Sequence, residues 1–242
     1  MFADIHANRQ AFEACLAQAR ARGAARMVLL GDYVGYGADP DWTVETVMAL
    51  VGDGAMAVRG NHDQAVNDPR EPMNVEAQVA MEWTRGELGA AERKFLAELP
   101  LTRADEDRLY VHAEASRPEG FVYVRSSDDA GRSLMATPAA LTFCGHIHRP
   151  ALYCISTTGK IVTHTPVTDV AVPLLPNRRW LAVLGAVGQP RDGDPRASFL
   201  LLDTARREAT WCRAAYDIET AAARIRAKGL PSLLAERLFA GQ

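Results

Sequence analysis

The sequence predicts an α/β (α+β) fold of stacked layers, a sheet built from alternating strands and helices with a second sheet packed against it. Two patterns predict it. Over the first 150 residues short apolar strands alternate with amphipathic helices, as in an α/β layer. From about residue 151 to 213 the chain becomes a run of short strands separated by turns. Length and composition agree: 242 residues, 48% hydrophobic and 24% charged, suffice for a substantial core in a single domain spanning 1–242.

The first element is a helix that Asn8 can cap, with Phe12, Cys15, Leu16 and Ala19 on one face and Gly23 at its end. Residues 27–30 follow as a short buried strand closed by Gly31-Asp32. Pro40 opens a second helix to about Val51, its fixed φ suiting a first helical position, with Trp42, Val44, Val47 and Met48 apolar. Residues 55–58 read as a strand and 59–63 as the loop behind it. Residues 72–98 form one or two helices broken near Gly89, and strands follow at about 108–112 and 141–144. Beyond them strands are expected at 151–156, 161–165, 170–175, 179–184, 198–203 and 208–213, with Thr158-Gly159-Lys160 turning a hairpin. Asp217 caps a helix carrying Ile218, Ala222 and Ile225, and 233–238 marks another.

Composition excludes several classes. The net charge is −3, from 27 Lys and Arg against 30 Asp and Glu, so no broad nucleic-acid footprint is expected. No apolar run approaches the ~20 residues that span a bilayer, so no membrane partner is expected, and residues 1–9 carry no secretory signal pattern. Cys15, Cys144, Cys154 and Cys212 form no C-x-x-C pair and lie in apolar segments; they read as reduced, buried thiols of a cytoplasmic protein. The composition is compatible with a homo-oligomer.

The histidines carry the functional signal. Five of six (His6, His62, His112, His146 and His148) directly follow apolar strands. Beside them stand Asp4 in D-I-H, Asp32 in G-D-Y-V-G-Y-G, and Asn61 and Asp63 in G-N-H-D. Strand ends in an α/β fold converge on one crevice, so these loops can meet in space. Imidazole with carboxylate suits Mn, Fe, Co or Zn, and disfavours Ca, Mg and copper(I). Singly the motifs are weak: D-x-H is commonly a turn, and G-D commonly caps the next helix. G-N-H-D is rarer, a chance event on the order of one in a thousand chains of this length. G-H-I-H sets two imidazoles on one face of an extended segment. All four occur in order, each behind a strand, and together they read as a metal site. His164, inside the strand at 161–165, reads as an ordinary strand histidine.

These motifs resemble those of the calcineurin-like metallophosphoesterases, in the order Asp4-Ile5-His6, Gly31-Asp32, Gly60-Asn61-His62-Asp63, His112 and Gly145-His146-Ile147-His148. The G-D-Y-V-G-Y-G segment at 31–37 and V-G-Q-P-R-D-G-D-P-R at 187–196 are similar to the small bacterial and archaeal phosphodiesterase branch, so the likeness covers nearly the whole chain. The resemblance implies a four-layer αββα sandwich, two facing mixed β-sheets flanked by helices. It implies two divalent transition-metal ions, manganese first, with Fe, Zn, Co or Ni as alternatives. Asp4, His6 and His148 would hold one ion, Asn61, His112 and His146 the other, and Asp32 both. His62 would be the catalytic side chain, and Arg149, just past G-H-I-H, a substrate-binding contact. The substrate implied is a small phosphoester, a phosphodiester or a nucleotide or dinucleoside polyphosphate. Gly35-Tyr36 stand where protein phosphatases of the family carry Asp-Arg, which speaks against a phosphoprotein. A catalytically silent metal-binding scaffold of the same fold and a nuclease are the alternatives. Three departures stand out: only Met1-Phe2-Ala3 precede Asp4, Ala7 and Ala113 replace the family's glycines, and Val183-Leu184-Gly185-Ala186 replace Asn-Pro-Gly-Ser.

Overall fold

The computed structural model describes residues 1–156 and 158–242. Helix α1 (Arg9–Ala21) begins as expected, the Asn8 side chain accepting the Ala11 N–H at 3.1 Å and Phe12, Cys15, Leu16 and Ala19 facing inward. Then come β1 (Val28–Leu29), α2 (Pro40–Gly52), β2 (Met56–Ala57), α3 (Asn61–Asn67), α4 (Val75–Glu87) and α5 (Ala90–Glu98). The middle of the chain supplies β3 (Thr102–Asp105), β4 (Arg108–Val111), α6 (Ser127–Met135) and β5 (Leu141–Cys144). The remainder is β6 (Ala151–Ile155), β7 (Ile161–His164), β8 (Ala171–Pro173), β9 (Arg179–Val183), β10 (Ala197–Asp203), β11 (Glu208–Ala214), α7 (Ile218–Ala227) and α8 (Ser232–Ala240).

The layers are those of the αββα sandwich, but the sheets do not divide near residue 150. A six-stranded sheet runs β3-β4-β5-β9-β6-β7, mixing strands from both halves, with β4, β5 and β9 parallel. The other layer joins β1 and β2 to β10, β11 and β8 through the N-terminal residues. Phe2 bridges Leu29 in parallel, its N–H donating to the Val28 carbonyl at 2.9 Å. On the other side the Met1 carbonyl accepts the Leu200 N–H at 3.1 Å, and the Ala3 carbonyl accepts the Val187 N–H at 2.9 Å. The three residues ahead of Asp4 are therefore gripped from both sides, in the middle of the sheet.

Alternation along the strands sorts side chains between layers. Ala3, Val28, Leu30, Tyr110, Phe143, Ala182, Leu200 and Trp211 fill the space between the sheets. Phe2, Leu29 and Phe199 point outward onto Phe12 of α1 and Val44 and Val47 of α2. Val111, Cys144, Leu181 and Val183 meet Ala130 and Leu134 of α6 on the opposite outer face. A fourth apolar cluster joins α4 to α7 and α8. All four cysteines are buried and free, and among the described residues no helix is long and apolar enough to cross a membrane.

Two elements went unseen in the sequence. The strand β3 reads Thr-Arg-Ala-Asp and lies at the sheet edge, where nothing demands an apolar pattern. Helix α6 carries a capping box, Ser126 and Asp129 exchanging hydrogen bonds with each other's backbone, a signal the sequence offered. The expected loop at 59–63 is in fact a helix start, with Gly60 as N-cap and Asn61, His62 and Asp63 in the first turn of α3.

Candidate metal centre

Every strand-end motif arrives at one edge of the sandwich. Asp4 and His6 follow the N-terminal segment, Asp32 follows β1, and Asn61 and His62 open α3 behind β2. His112 leaves β4, and His146 and His148 leave β5. All eight side chains are buried. Turning the chain sharply behind the N-terminal segment, β1 and β5 forces left-handed backbone: φ is 54° at Asp4, 48° at His6, 55° at Asp32, 69° at His146 and 60° at His148. Such conformations cost a non-glycine residue about 1–2 kcal/mol each and persist only where the surroundings impose them. Ala7 is also left-handed, at 50°, a conformation that favours glycine, whereas Ala113 is not. Gly60 is needed for space, since a Cβ there would stand 2.2 Å from Asp32 Oδ1.

The side chains form two imidazole pairs around one carboxylate. His6 Nε2 lies 3.1 Å from His148 Nε2, and His112 Nε2 lies 3.0 Å from His146 Nδ1. Asp32 Oδ2 is 3.8 Å from His6 Nε2 and 3.3 Å from His112 Nε2. Asp4 Oδ1 is 3.4 Å from His148 Nε2, and both Asp4 oxygens accept the His146 N–H, at 2.9 and 3.1 Å. Backbone carbonyls fix the tautomers. His6 Nδ1 donates to Val34 O at 3.1 Å, His112 Nδ1 to Leu30 O at 2.7 Å, and His148 Nδ1 to Gln189 O at 2.6 Å. A carbonyl only accepts, so Nδ1 carries the hydrogen and, in the neutral ring, Nε2 presents a lone pair. The lone pairs of His6 and His148 thus face each other at 3.1 Å in a buried site, a repulsive contact unless a cation lies between them. Asn61 Oδ1 is buried with no hydrogen-bond partner among the described residues, an unused acceptor of the kind a metal ion takes up. The donor set fits divalent transition metals, and Asp4–His6–His148 and Asp32–His112–His146 are each close enough to hold one ion.

Electrostatics follow from burial and this crowding. Burial raises the Asp4 carboxyl to about 7. Asp32 is held well below the usual carboxylate range, because His112, His62 and His6 outweigh its burial. The Asp32 charge in turn lifts His112 to about 9 against its own burial. Burial lowers His146 to about 3, pushes His6 and His148 well down, and lowers His62, so that in the metal-free protein these rings are neutral.

Asp63 is a clamp. Its carboxylate accepts the N–H groups of Asp32, Tyr33 and Gly60, each at 2.8 Å, tying the loop after β1 to the start of α3. It leaves the His62 ring alone; the His62 N–H donates instead to Asp32 Oδ1 at 2.8 Å. Arg149 is exposed, its Nε donating to the Arg191 carbonyl at 2.6 Å. His164 is exposed on β7, outside the cluster.

Sequence reasoning missed the aromatic walls. The Tyr36 ring packs 4.5 Å from His6 and 4.7 Å from His62, and Tyr123 stacks on His146 at 4.1 Å. Phe121 meets His112 edge-on at 5.9 Å. Tyr36 lay inside a motif already singled out, whereas nothing local marks Tyr123 or Phe121.

Comparison with known proteins bears on the family and the fold. A family model described as the calcineurin-like phosphoesterase superfamily domain matches residues 1–207. An uncharacterized protein of Methanocaldococcus jannaschii is 32% identical over 250 residues, covering 100% of this chain and 97% of its own. The crystal structure of a metallophosphoesterase from Sphaerobacter thermophilus superposes with a TM-score of 0.88 at 34% identity, covering 100% of this chain and 98% of that one. A hypothetical protein from Pyrococcus horikoshii shares the fold at 18% identity and a TM-score of 0.79, over 100% of this chain and 97% of its own.

Proposed function

The chain belongs to the calcineurin-like phosphoesterase superfamily, and from that premise we propose that it hydrolyses small phosphoesters at a two-ion centre. The substrate class we favour is a phosphodiester or a nucleotide or dinucleoside polyphosphate. The observation that supports this most is the Asp32 carboxylate standing between two close imidazole pairs, of which His6 and His148 turn their lone pairs toward each other.

In this reading Asp4, His6 and His148 hold one divalent ion, Asn61, His112 and His146 the second, and Asp32 both, with manganese the favoured metal and Fe, Zn, Co or Ni the alternatives. Ions bound there supply Lewis acidity toward the phosphoryl oxygens and acidify water for attack. The residues do the rest. Three backbone carbonyls keep the imidazole lone pairs aimed inward. Asp63 fixes the distance between the Asp32 loop and α3. Tyr36 shields His6 and His62 from water. His62 follows Asn61 on the same helical turn and delivers a proton to the leaving oxygen; a bound phosphoryl anion beside it offsets the burial that otherwise keeps it neutral. We read residues 1–242 as one domain, and the four buried free thiols favour the cytoplasm.

The test is a hydrolysis panel with manganese (aryl monoester, aryl diester, cyclic nucleotides and dinucleoside polyphosphates) on protein whose metal content is measured. Two ions per chain and turnover of at least one substrate are expected. No more than one ion in excess manganese overturns the bridging role of Asp32. Two ions with no turnover overturns the enzyme in favour of a silent scaffold, and strongly salt-dependent DNA binding points to a nuclease instead.

A further inference from the structure

We propose that Arg191, seated on Tyr36, is the arginine that binds the substrate's phosphoryl oxygens, and that Arg149 acts through it as a positioning residue. The inference rests on the phosphoesterase reading above and names the residue that would hold the substrate there.

Arg191 is half-buried and unneutralised. Its guanidinium carbon lies 5.7 Å from the Tyr36 ring centroid, and its Nη2 donates to Gln189 Oε1 at 3.1 Å and to the Tyr36 hydroxyl at 3.4 Å. Both partners are neutral, and among the described residues no carboxylate lies within 4.0 Å of it. The acids of its own loop are committed elsewhere: Asp192 pairs with Arg213, and Asp194 with Arg196 and Arg213. The loop therefore carries an arginine with no counter-charge of its own beside the imidazole cluster. A partly desolvated guanidinium of this kind is stabilised by an anion, and its planar fork matches two phosphoryl oxygens.

Its placement is tied to the centre. The Arg191 N–H donates to the His148 carbonyl at 3.1 Å, and two residues earlier the Gln189 carbonyl holds His148 Nδ1. The positive charge is felt at His6, His62 and His148, each of which it pushes toward the neutral form. Tyr36 adds a second donor. Its hydroxyl accepts from Arg191, and its own hydrogen has no acceptor among the described residues although the side chain is buried. Burial raises the phenol's pKa, so that hydrogen stays in place. Guanidinium and phenol then present donors to one anion beside His6 and His62.

Arg149 sits in a different setting. It is exposed, and its Nε is engaged by the Arg191 carbonyl. That bond holds the peptide from which the Arg191 side chain departs.

The experiment titrates inorganic phosphate into the manganese-loaded protein by calorimetry, with metal content and melting temperature measured for every variant. Arg191→Ala should weaken phosphate binding ~10- to 100-fold, as expected for loss of a charge-assisted pair, and raise KM more than it lowers kcat, with both ions retained. Arg191→Lys should recover part of the loss, because it restores the charge without the fork. Arg149→Ala should cost no more than ~3-fold. Unchanged phosphate binding in Arg191→Ala overturns the proposal, as does a larger loss in Arg149→Ala or loss of an ion in both Arg191 variants. Wild-type protein that neither binds phosphate nor turns over any ester instead overturns the phosphoesterase reading beneath it.

Discussion

The His62 ring occupies the room that Gly35 leaves: a Cβ built on Gly35 would stand 2.2 Å from His62 Nδ1. Gly35 is also left-handed, with φ +83°, so an alanine there is both strained and in collision. Gly35→Ala should displace the ring and destabilise the protein by ~2 kcal/mol or more, lowering kcat while both ions stay bound. Thermal melts and metal analysis check this; a variant with wild-type kcat would show that the ring's position is immaterial.

Removing the ring altogether separates proton delivery from simple charge. His62→Ala should keep both ions and slow turnover by ~100- to 10,000-fold. The loss should be far greater with a ribose or alkyl leaving group, which departs as a strong base, than with nitrophenolate, which hardly needs a proton. Equal losses on both substrates would make His62 an electrostatic contact only, and loss of an ion would make it a ligand.

The Asp63 clamp is acceptor-only. Asp63→Asn turns one oxygen into a donor facing backbone N–H groups that now meet oxygen at 2.8 Å. The substitution should cost ~2–4 kcal/mol and reduce metal affinity, because Asp32 loses its anchor. Denaturant titration with and without manganese measures both effects; a neutral result would mean the loop after β1 is held by packing alone.

Two histidines at strand ends should behave oppositely. His112 is buried against Asp32 at 3.3 Å, whereas His164 is exposed on β7. His112→Ala should lower metal occupancy and activity, and His164→Ala should leave both nearly unchanged. Metal analysis of the purified variants decides the matter.

Much of the site was legible because each of its motifs sits directly behind an apolar strand. Asp4, His6, Asp32, His112, His146 and His148 could be placed together from that pattern alone, and the structure gathers them in groups whose ligand atoms lie within 4.8 Å of one another. The sheet assignment was less legible. Strand β5 is buried throughout, and no pattern of one strand tells which sheet it joins. The support of Asp4 was hidden for the same reason: the grip on Met1–Ala3 comes from Leu200 and Val187, late in the chain. Tyr123 and Phe121 escaped because an aromatic in a long loop has no periodicity to betray its target.

The contacts that close the centre bring Asp4 to His146 and His6 to His148, each pair 142 residues apart. No early local structure can contain both halves of this site, and it exists only once long-range pairing is nearly complete. A divalent ion would therefore have nothing to bind while the chain is still searching, and could not guide it. Folding should proceed at the same rate with or without the ion, and the ion should slow only unfolding, by stabilising contacts absent from the transition state. Stopped-flow refolding and unfolding at matched denaturant would show it: a refolding rate that climbs with manganese would mean that part of the centre forms early.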